Sequence, residues 1–340
     1  MNTRILVTGG TGYIGSHTVV ELQTAGYEVI IIDNLSNSNK EVLDGIESIT
    51  GIRPHFVEGD CTDINTLKEL FIKFPGIKGI INFAASKAVG ESVEKPLMYY
   101  RNNIMTLVNL LDFMPEFGVK GLVFSSSCTV YGEPDLNPID ESAPIKEATS
   151  PYGNTKQICE EIIIDYIKSG APVKSIILRY FNPVGAHPSG CIGELPNGIP
   201  NNLVPFLTQT AAGIREKLTV FGTDYNTPDG SCIRDFIDVV DLAKAHVVAM
   251  KRMLEQKSDD NVEIFNLGTG RGLSVLELIN SFERATGVKV PYVIGKRRQG
   301  DIEQIWAEPR KANDVLGWRA EVDIDDTMRN AWNWQCRLCK

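Results

Sequence analysis

The stretch "RILVTGGTGYIG", Arg4–Gly15, decides the fold. Its first half is a short apolar run rich in branched residues and reads as a strand. Gly9, Gly12 and Gly15 follow at once, and "YIGSHTVVELQTAG" continues as a helix closed by Gly26. Three glycines alone are a weak signal, but a strand before them and a helix after them are the context a dinucleotide demands. The glycines permit a tight turn and close backbone approach. The helix opening at Tyr13, Ile14 and Gly15 supplies amides to a pyrophosphate. "EVIIID" is the next strand and ends at Asp33. A carboxylate there accepts from the adenosine ribose hydroxyls and repels a 2′-phosphate, so NAD is expected rather than NADP.

Working outward, strand-like and helix-like segments keep alternating. "PHFVEGD", a helix near 63–74, "GIINFAA", the long helix "PLMYYRNNIMTLVNLLDFM", "KGLVFSSS", the helix in "YGNTKQICEEIIIDYIK" and "VKSIILRYF" follow in turn. Short apolar strands alternating with helices predict an α/β chain, with a parallel sheet covered on both faces. Crossover chirality makes it a doubly wound, Rossmann-type fold. After Phe181 the rhythm breaks into "NPVGAHPSGCIGELPNGIPNN", too long and too rich in Gly, Pro and Asn for an idle connection. Two regions are expected: an NAD-binding domain over 1–180 and a smaller C-terminal α/β substrate-binding region over 181–340. Segments near 236–260 are expected to pack back on the first.

Composition narrows the function classes. A chain of 340 residues, 43% hydrophobic and 23% charged, buries a substantial core. A net charge of −9 argues against nucleic acid or an anionic membrane surface as partner. No apolar run is long enough to cross a bilayer. The first residues enter a strand without a signal-peptide layout, and the seven cysteines are odd in number and mostly scattered, so a cytoplasmic setting is expected. Cys336 and Cys339 form a lone CxxC with no second pair and no nearby histidine. That is read as tail composition, and no metal is expected.

Two Tyr-x-x-x-Lys patterns occur, Tyr152–Lys156 in "SPYGNTK" and Tyr292–Lys296 in "YVIGK". Spacing does not choose between them; context does. Tyr152 opens the helix after the fifth strand, on the sheet edge that carries the glycine loop, and shares a helix face with Lys156. Lowering a phenol from its ordinary pKa near 10 to about 7 takes roughly 4 kcal/mol of preferential phenolate stabilisation. An ammonium nearby and the positive ring of NAD⁺ can supply it in a water-poor cleft. Ser127, ending the preceding strand, can bond both the phenol and a substrate hydroxyl. Tyr292 follows Pro291 and precedes "RRQGD", with no such setting. Ser127, Tyr152 and Lys156 are therefore the candidate set for oxidising a carbinol against NAD.

The GxxGxxG spacing resembles that of the short-chain dehydrogenase/reductase superfamily. Further on, "AASKAVGES", "SSSCTVYG", "RYFNPVGAHPSG", "GIPNNLVPF", "VFGTDYNTPDGSCIRDFIDVVDLAKAH" and "RRQGD" closely resemble the UDP-glucose 4-epimerases of its extended branch, over residues 4 to about 334. On the cofactor side the resemblance implies that Asn34, Asn37 and Ser38 extend the Asp33 contact, with Asp60 and Cys61 flanking the adenine. Phe83, Ala84, Lys87, Asn102 and Tyr180 continue toward the phosphates and nicotinamide. On the substrate side it implies Asn182, Asn202 and Leu203 along the uridine diphosphate and Phe221 on the uracil. Arg234 and Arg298 fall on the diphosphate, and Asp301 on the uridine ribose. Phe236 stands in this segment where relatives often carry tyrosine, and Asp238 where they often carry histidine. Ile305 falls beside the hexose 2-substituent. Dehydratase relatives place an Asp–Glu pair where this chain has Ser127 and Cys128, so loss of water is not expected.

The implied reaction interconverts UDP-galactose and UDP-glucose through a 4-keto sugar that turns and is reduced on its opposite face. The resemblance also implies a homodimer, built from the apolar faces of "MYYRNNIMTLVNLLDFM" and "ICEEIIIDYI". Two alternatives stay open: a neighbouring nucleotide-sugar epimerase or decarboxylase, and a sensor that binds NAD and UDP-sugar without turnover.

Overall fold

The alternation becomes a layered sheet. The structure, a computed structural model, describes residues 3–258, 260–298 and 301–339. Its first half runs β1 (Arg4–Thr8), α1 (Tyr13–Thr24), β2 (Glu28–Asp33), α2 (Val42–Thr50), β3 (His55–Glu58), α3 (Ile64–Lys73) and β4 (Ile77–Asn82). It continues through α4 (Val89–Glu94), α5 (Pro96–Glu116), β5 (Gly121–Ser127), α6 (Pro151–Lys168) and β6 (Lys174–Tyr180). Then come β7 (Asn182–Val184), α7 (Leu203–Ala211), β8 (Leu218–Phe221), β9 (Ile233–Arg234), β10 (Phe236–Asp238), α8 (Val239–Leu254) and β11 (Val262–Leu267). The chain closes with β12 (Leu273–Ser274), α9 (Val275–Thr286), β13 (Tyr292–Gly295), β14 (Gln304–Ile305) and α10 (Ile324–Leu338).

Seven parallel strands form the main sheet in the order β3-β2-β1-β4-β5-β6-β11. Successive side chains on a strand point to opposite faces, so a strand covered on both sides must be apolar throughout. In β1, Ile5 and Val7 join Leu22 of α1 and Leu242 and Met250 of α8 in one layer. Leu6 joins Leu67 of α3, Leu110 of α5 and Ile163 of α6 in the other. β1 is flanked by β2 and β4, so the connections after β1 and β4 diverge. A crevice opens there at the C-terminal edge of the strands, where open α/β sheets receive ligands.

β6 ends at Tyr180. Beyond it, β7 pairs with β10, β13 with β8, and β9 lies between β12 and β14. Val184, Leu207, Val220, Leu278, Phe282 and Met328 give this part its own core. α8 lies against α1 and the main sheet, and β11 extends that sheet beyond β6. Among the described residues no helix is long and apolar enough to cross a membrane.

Candidate active site

The glycine loop is built for contact through its backbone. Gly9 has φ +68°, and a Cβ there would stand 2.8 Å from the Ala84 amide nitrogen; one on Gly15 would stand 2.2 Å from the Gly9 carbonyl oxygen. Gly12 caps α1 in an extended conformation without a side-chain bond, so the helix's first amides keep no side-chain acceptor. Open amides at the head of a 12-residue helix, over a loop that has room for no side chain, fit a pyrophosphate.

Asp33 ends β2 half-buried. Its carboxylate accepts from the Thr11 amide (3.2 Å), the Leu35 amide (2.9 Å) and the Ser38 hydroxyl (3.0 Å). These bonds fix its orientation while a lone pair stays free on Oδ2. They also hold Leu35 at φ 56°, a left-handed conformation rare for a residue with a Cβ. Asn34 donates to Asp60 (2.9 Å), which also accepts from the Thr62 amide and hydroxyl. Burial pushes the Asp60 carboxyl up, but the Thr62 and Asn34 bonds outweigh it and the pKa falls below the ordinary value. Asn37 is exposed, and Cys61 is buried with its thiol pushed up by desolvation.

After β4, the amides of Phe83 and Ala84 bond to the carbonyl and hydroxyl of Thr8 (3.0 and 3.2 Å), which binds this loop to β1. Asn102 donates to the Ser86 hydroxyl (3.1 Å). Ile14 packs against the core. Tyr13 donates its phenol proton to the Gly185 carbonyl (2.8 Å), and Lys87 lies 5.9 Å from the Tyr13 ring and 3.6 Å from Glu194. The cofactor loop is thus tied to the long segment after β7.

Ser150 caps α6 by accepting from the Gly153 amide (3.1 Å), a contribution of about 1 kcal/mol. In the first two turns of that helix Tyr152 (9% exposed) and Lys156 (5% exposed) are both buried. Lys156 Nζ donates to the Ser125 carbonyl (2.7 Å) and lies 5.9 Å from the Tyr152 ring centre. Burial pushes Lys156 down to about 8, against the opposing charges of Cys159 and Glu160. Burial also pushes the Tyr152 phenol up, with Tyr180 adding to the rise and the Ser127 hydroxyl drawing it part of the way back. Ser127, Tyr152, Lys156 and Tyr180 therefore converge. The net push on Tyr152 from the protein's own groups is upward, so Lys156 alone does not give the lowering expected from the sequence. The sequence reading assigns a further share of that lowering to the cationic ring of a bound dinucleotide.

The helix carrying this pair is fastened by groups that sequence reading passed over. Glu160 and Arg179, both nearly inaccessible, meet at 2.6 Å, and Ser126 donates to the same carboxylate at 2.5 Å. Arg179 also donates to the Tyr131 hydroxyl (3.0 Å), which donates to Asn266 (2.7 Å). The signal was present: charges inside the apolar runs "IILRYF" and "CEEIII" are rarely buried without a partner. His246, fully buried behind Ser125, gave no comparable signal.

In the C-terminal part, Arg298 pairs with Asp301 (2.7 Å) and lies 5.8 Å from the ring centre of Phe221, which is 43% exposed. Gln299 and Gly300 of "RRQGD" lie outside the described residues. Arg234, in β9, donates to the Ile233 carbonyl (2.8 Å). Asn202 precedes Leu203 at the start of α7 and donates to Glu194 (2.6 Å); Asn182 lies in β7. Phe236 is buried with Val184, Val204 and Met328. Asp238, caps α8 and accepts from Thr327 (2.8 Å); burial raises its carboxyl to about 6. Ile305 is also buried, against Tyr131, Ile139 and Phe181. Among the described residues no group of three or more His, Cys, Asp or Glu could hold a metal ion.

Comparisons with known proteins agree with this geometry. The NAD dependent epimerase/dehydratase family matches residues 5–268. A UDP-glucose 4-epimerase of Dictyostelium discoideum is 51% identical, covering 98% of this chain and 96% of its own. The crystal structure of UDP-glucose-4-epimerase from Stenotrophomonas maltophila, with bound NAD and formylated UDP-arabinopyranose, superposes with a TM-score of 0.95. It is 46% identical and covers 99% of both chains. A Bifidobacterium longum UDP-glucose 4-epimerase in complex with NAD+ and UDP gives a TM-score of 0.94 at 45% identity, over 98% of each chain. With the glycine cradle and the Ser127–Tyr152–Lys156 cluster in place, this similarity shows that the chain belongs to the NAD dependent epimerase/dehydratase family, among its UDP-glucose 4-epimerases.

Proposed function

We propose that this protein interconverts UDP-galactose and UDP-glucose by inverting C4 of the hexose. The observation that carries the reading is the convergence of Ser127, Tyr152 and Lys156 beside the glycine cradle. NAD would be held by the amides around Gly9, Gly12, Tyr13, Ile14 and Gly15, by Asp33 with Asn34, Asn37 and Ser38, and by Asp60 and Cys61 at the adenine. Phe83, Ala84, Lys87, Asn102 and Tyr180 continue the site. Bound there, NAD would supply reversible hydride acceptance at C4 together with the positive charge of its ring.

Tyr152 accepts the C4 hydroxyl proton and gives a proton back to the C4 oxygen after the keto-sugar has turned. Lys156 holds positive charge near the phenol, and Ser127 orients phenol and sugar hydroxyl together. Arg234 and Arg298 grip the diphosphate, where guanidinium forks match phosphate oxygens. Phe221 covers the uracil, Asp301 meets the uridine ribose, and Asn182, Asn202 and Leu203 line the nucleotide. Binding energy spent on the nucleotide keeps the intermediate in place while the hexose stays loose enough to rotate.

The working units in this reading are 1–180 for NAD and 181–340 for UDP-sugar, with α8 returning to the first. The protein acts as a homodimer, supported by the exposed Val93, Leu97, Met98 and Met105 along α4 and α5. Its compartment is the cytoplasm, in keeping with the buried thiols of Cys61, Cys128, Cys159 and Cys232. Sedimentation as a monomer at micromolar concentration would remove the dimer from this reading. The test of the reaction is incubation with UDP-galactose and with UDP-glucose, with products resolved by NMR. Interconversion of the two is the expected result; conversion of neither, with UDP-sugar still bound, would leave the sensor instead.

A further inference from the structure

Behind the catalytic cluster lies a chain of buried polar groups that the reaction as described does not use. His246, on α8, is 0% exposed. Its Nδ1 lies 2.9 Å from the Leu242 carbonyl, one turn back on the same helix, and its Nε2 lies 3.3 Å from the Ser125 hydroxyl. Phe83 covers the ring at 4.7 Å between centres, and Tyr180 stands at 6.0 Å. A carbonyl oxygen only accepts, so Nδ1 carries a proton. Burial without a carboxylate partner keeps the ring neutral, with its pKa pushed down to about 4, which leaves Nε2 as an acceptor. The Ser125 hydroxyl must therefore donate to His246.

The Ser125 carbonyl meanwhile holds the Lys156 ammonium at 2.7 Å. Tyr180 is the first neighbour opposing ionisation of Tyr152, whose other titratable neighbours include Cys128 and Tyr99. We propose that His246 is a positioning residue which, through the Ser125 hydroxyl, sets the strand end whose carbonyl holds Lys156 beside Tyr152.

The proposal rests on the epimerase reading for its kinetic arm and stands apart from it in its spectroscopic arm. With ¹⁵N-labelled histidine, the His246 ring of the full-length protein should give the neutral Nδ1–H tautomer at neutral pH. Ser125→Ala should shift only its Nε2 resonance. A protonated Nε2 would overturn the proposal whatever the enzyme's activity. In the kinetic arm, His246→Gln keeps an acceptor near the Nε2 position, whereas His246→Asn keeps only a group near Nδ1. His246→Asn and Ser125→Ala should each lower kcat by up to about a hundred-fold, the scale of a small misplacement in a catalytic site, with KM for the UDP-sugar unchanged. His246→Gln should recover most of the loss, and the Ser125→Ala/His246→Asn double variant should be no worse than either single one. Equal kcat for the Gln and Asn variants at equal Tm, or multiplicative losses in the double variant, would refute it. A wild-type protein that converts neither sugar would fail the function reading and leave the tautomer result to judge this one.

Discussion

The same four-residue spacing, Tyr-x-x-x-Lys, occurs twice in this chain, and the two copies fold into opposite circumstances. Tyr152 and Lys156 lie in α6, where four residues advance about 6 Å along the axis and return to the same face. Tyr292 opens β13 and Lys296 follows its end, where four extended residues span about 13 Å. The first pair is buried beside Ser127; the second is exposed on a two-stranded edge paired with β8, Tyr292 at 45%. A motif has chemistry only when secondary structure converts its spacing into a distance, and tertiary structure then decides whether water competes. The helix copy should control rate. The segment around the strand copy, which includes Phe221, Arg298 and Asp301 and leads to Ile305, should control recognition.

The severest test of that division is Tyr152→Phe. It removes the base and little packing volume, so kcat should fall by roughly 10²–10⁴-fold while NAD and UDP-sugar remain bound. Titration of both ligands alongside turnover measures the split. A variant that turns over at near wild-type rate would erase the distinction between the two copies.

The parallel, doubly wound sheet and the cofactor edge were legible because each depends on a local pattern. A strand, a glycine turn and a helix are adjacent in sequence, and "EVIIID" carries its own acidic terminus. Placing Tyr152 needed only the count of strands. The buried Glu160–Arg179 pair and the His246–Ser125 contact join residues on different elements, with no spacing rule to connect them. The direction of the Tyr152 pKa was also outside the sequence, because burial is a property of the assembled cleft.

Recognition should fail differently from rate. Ile305 is 3% exposed, so its surroundings give way only at a cost. Overpacking penalties of about 1–3 kcal/mol correspond to one or two powers of ten in preference. Ile305→Ser should raise the kcat/KM ratio for UDP-N-acetylglucosamine over UDP-glucose, and Ile305→Tyr should lower it, with kcat on UDP-glucose moving much less than in Tyr152→Phe. A ratio that stays flat across Ser, Ile and Tyr would remove residue 305 from the sugar pocket.

A smaller effect separates the lysines by pH. Lys156, held down to about 8 by burial, is mostly charged at neutral pH and loses that charge as pH rises through 8. Its support for the Tyr152 phenolate is therefore present on the acid side of 8 and lost on the alkaline side. If Lys156 limits the alkaline limb, kcat should drop by about ten-fold between pH 7 and 9, and Lys156→Met should be slow throughout without that limb. An alkaline limb of the same midpoint in Lys156→Met would assign it to another group.

The strand copy should contribute least of all. Tyr292→Phe removes one hydroxyl from an exposed ring, and substitutions of that kind stay within about 0.5 kcal/mol. Lys296→Met deletes a positive charge beside Arg297 and Arg298, all three side chains being exposed. At physiological salt the screening length is about 8 Å, so the nucleotide diphosphate should feel the loss weakly. The double variant should therefore keep kcat and Tm, and raise KM for UDP-glucose by less than about two-fold, with a larger rise only at low salt. A salt-dependent KM change would show that Lys296 belongs to the basic approach to the diphosphate, which sharpens the division between rate and recognition. A loss of kcat comparable with that of Tyr152→Phe would overturn it, since an exposed tyrosine on a two-stranded edge would then be acting as a base.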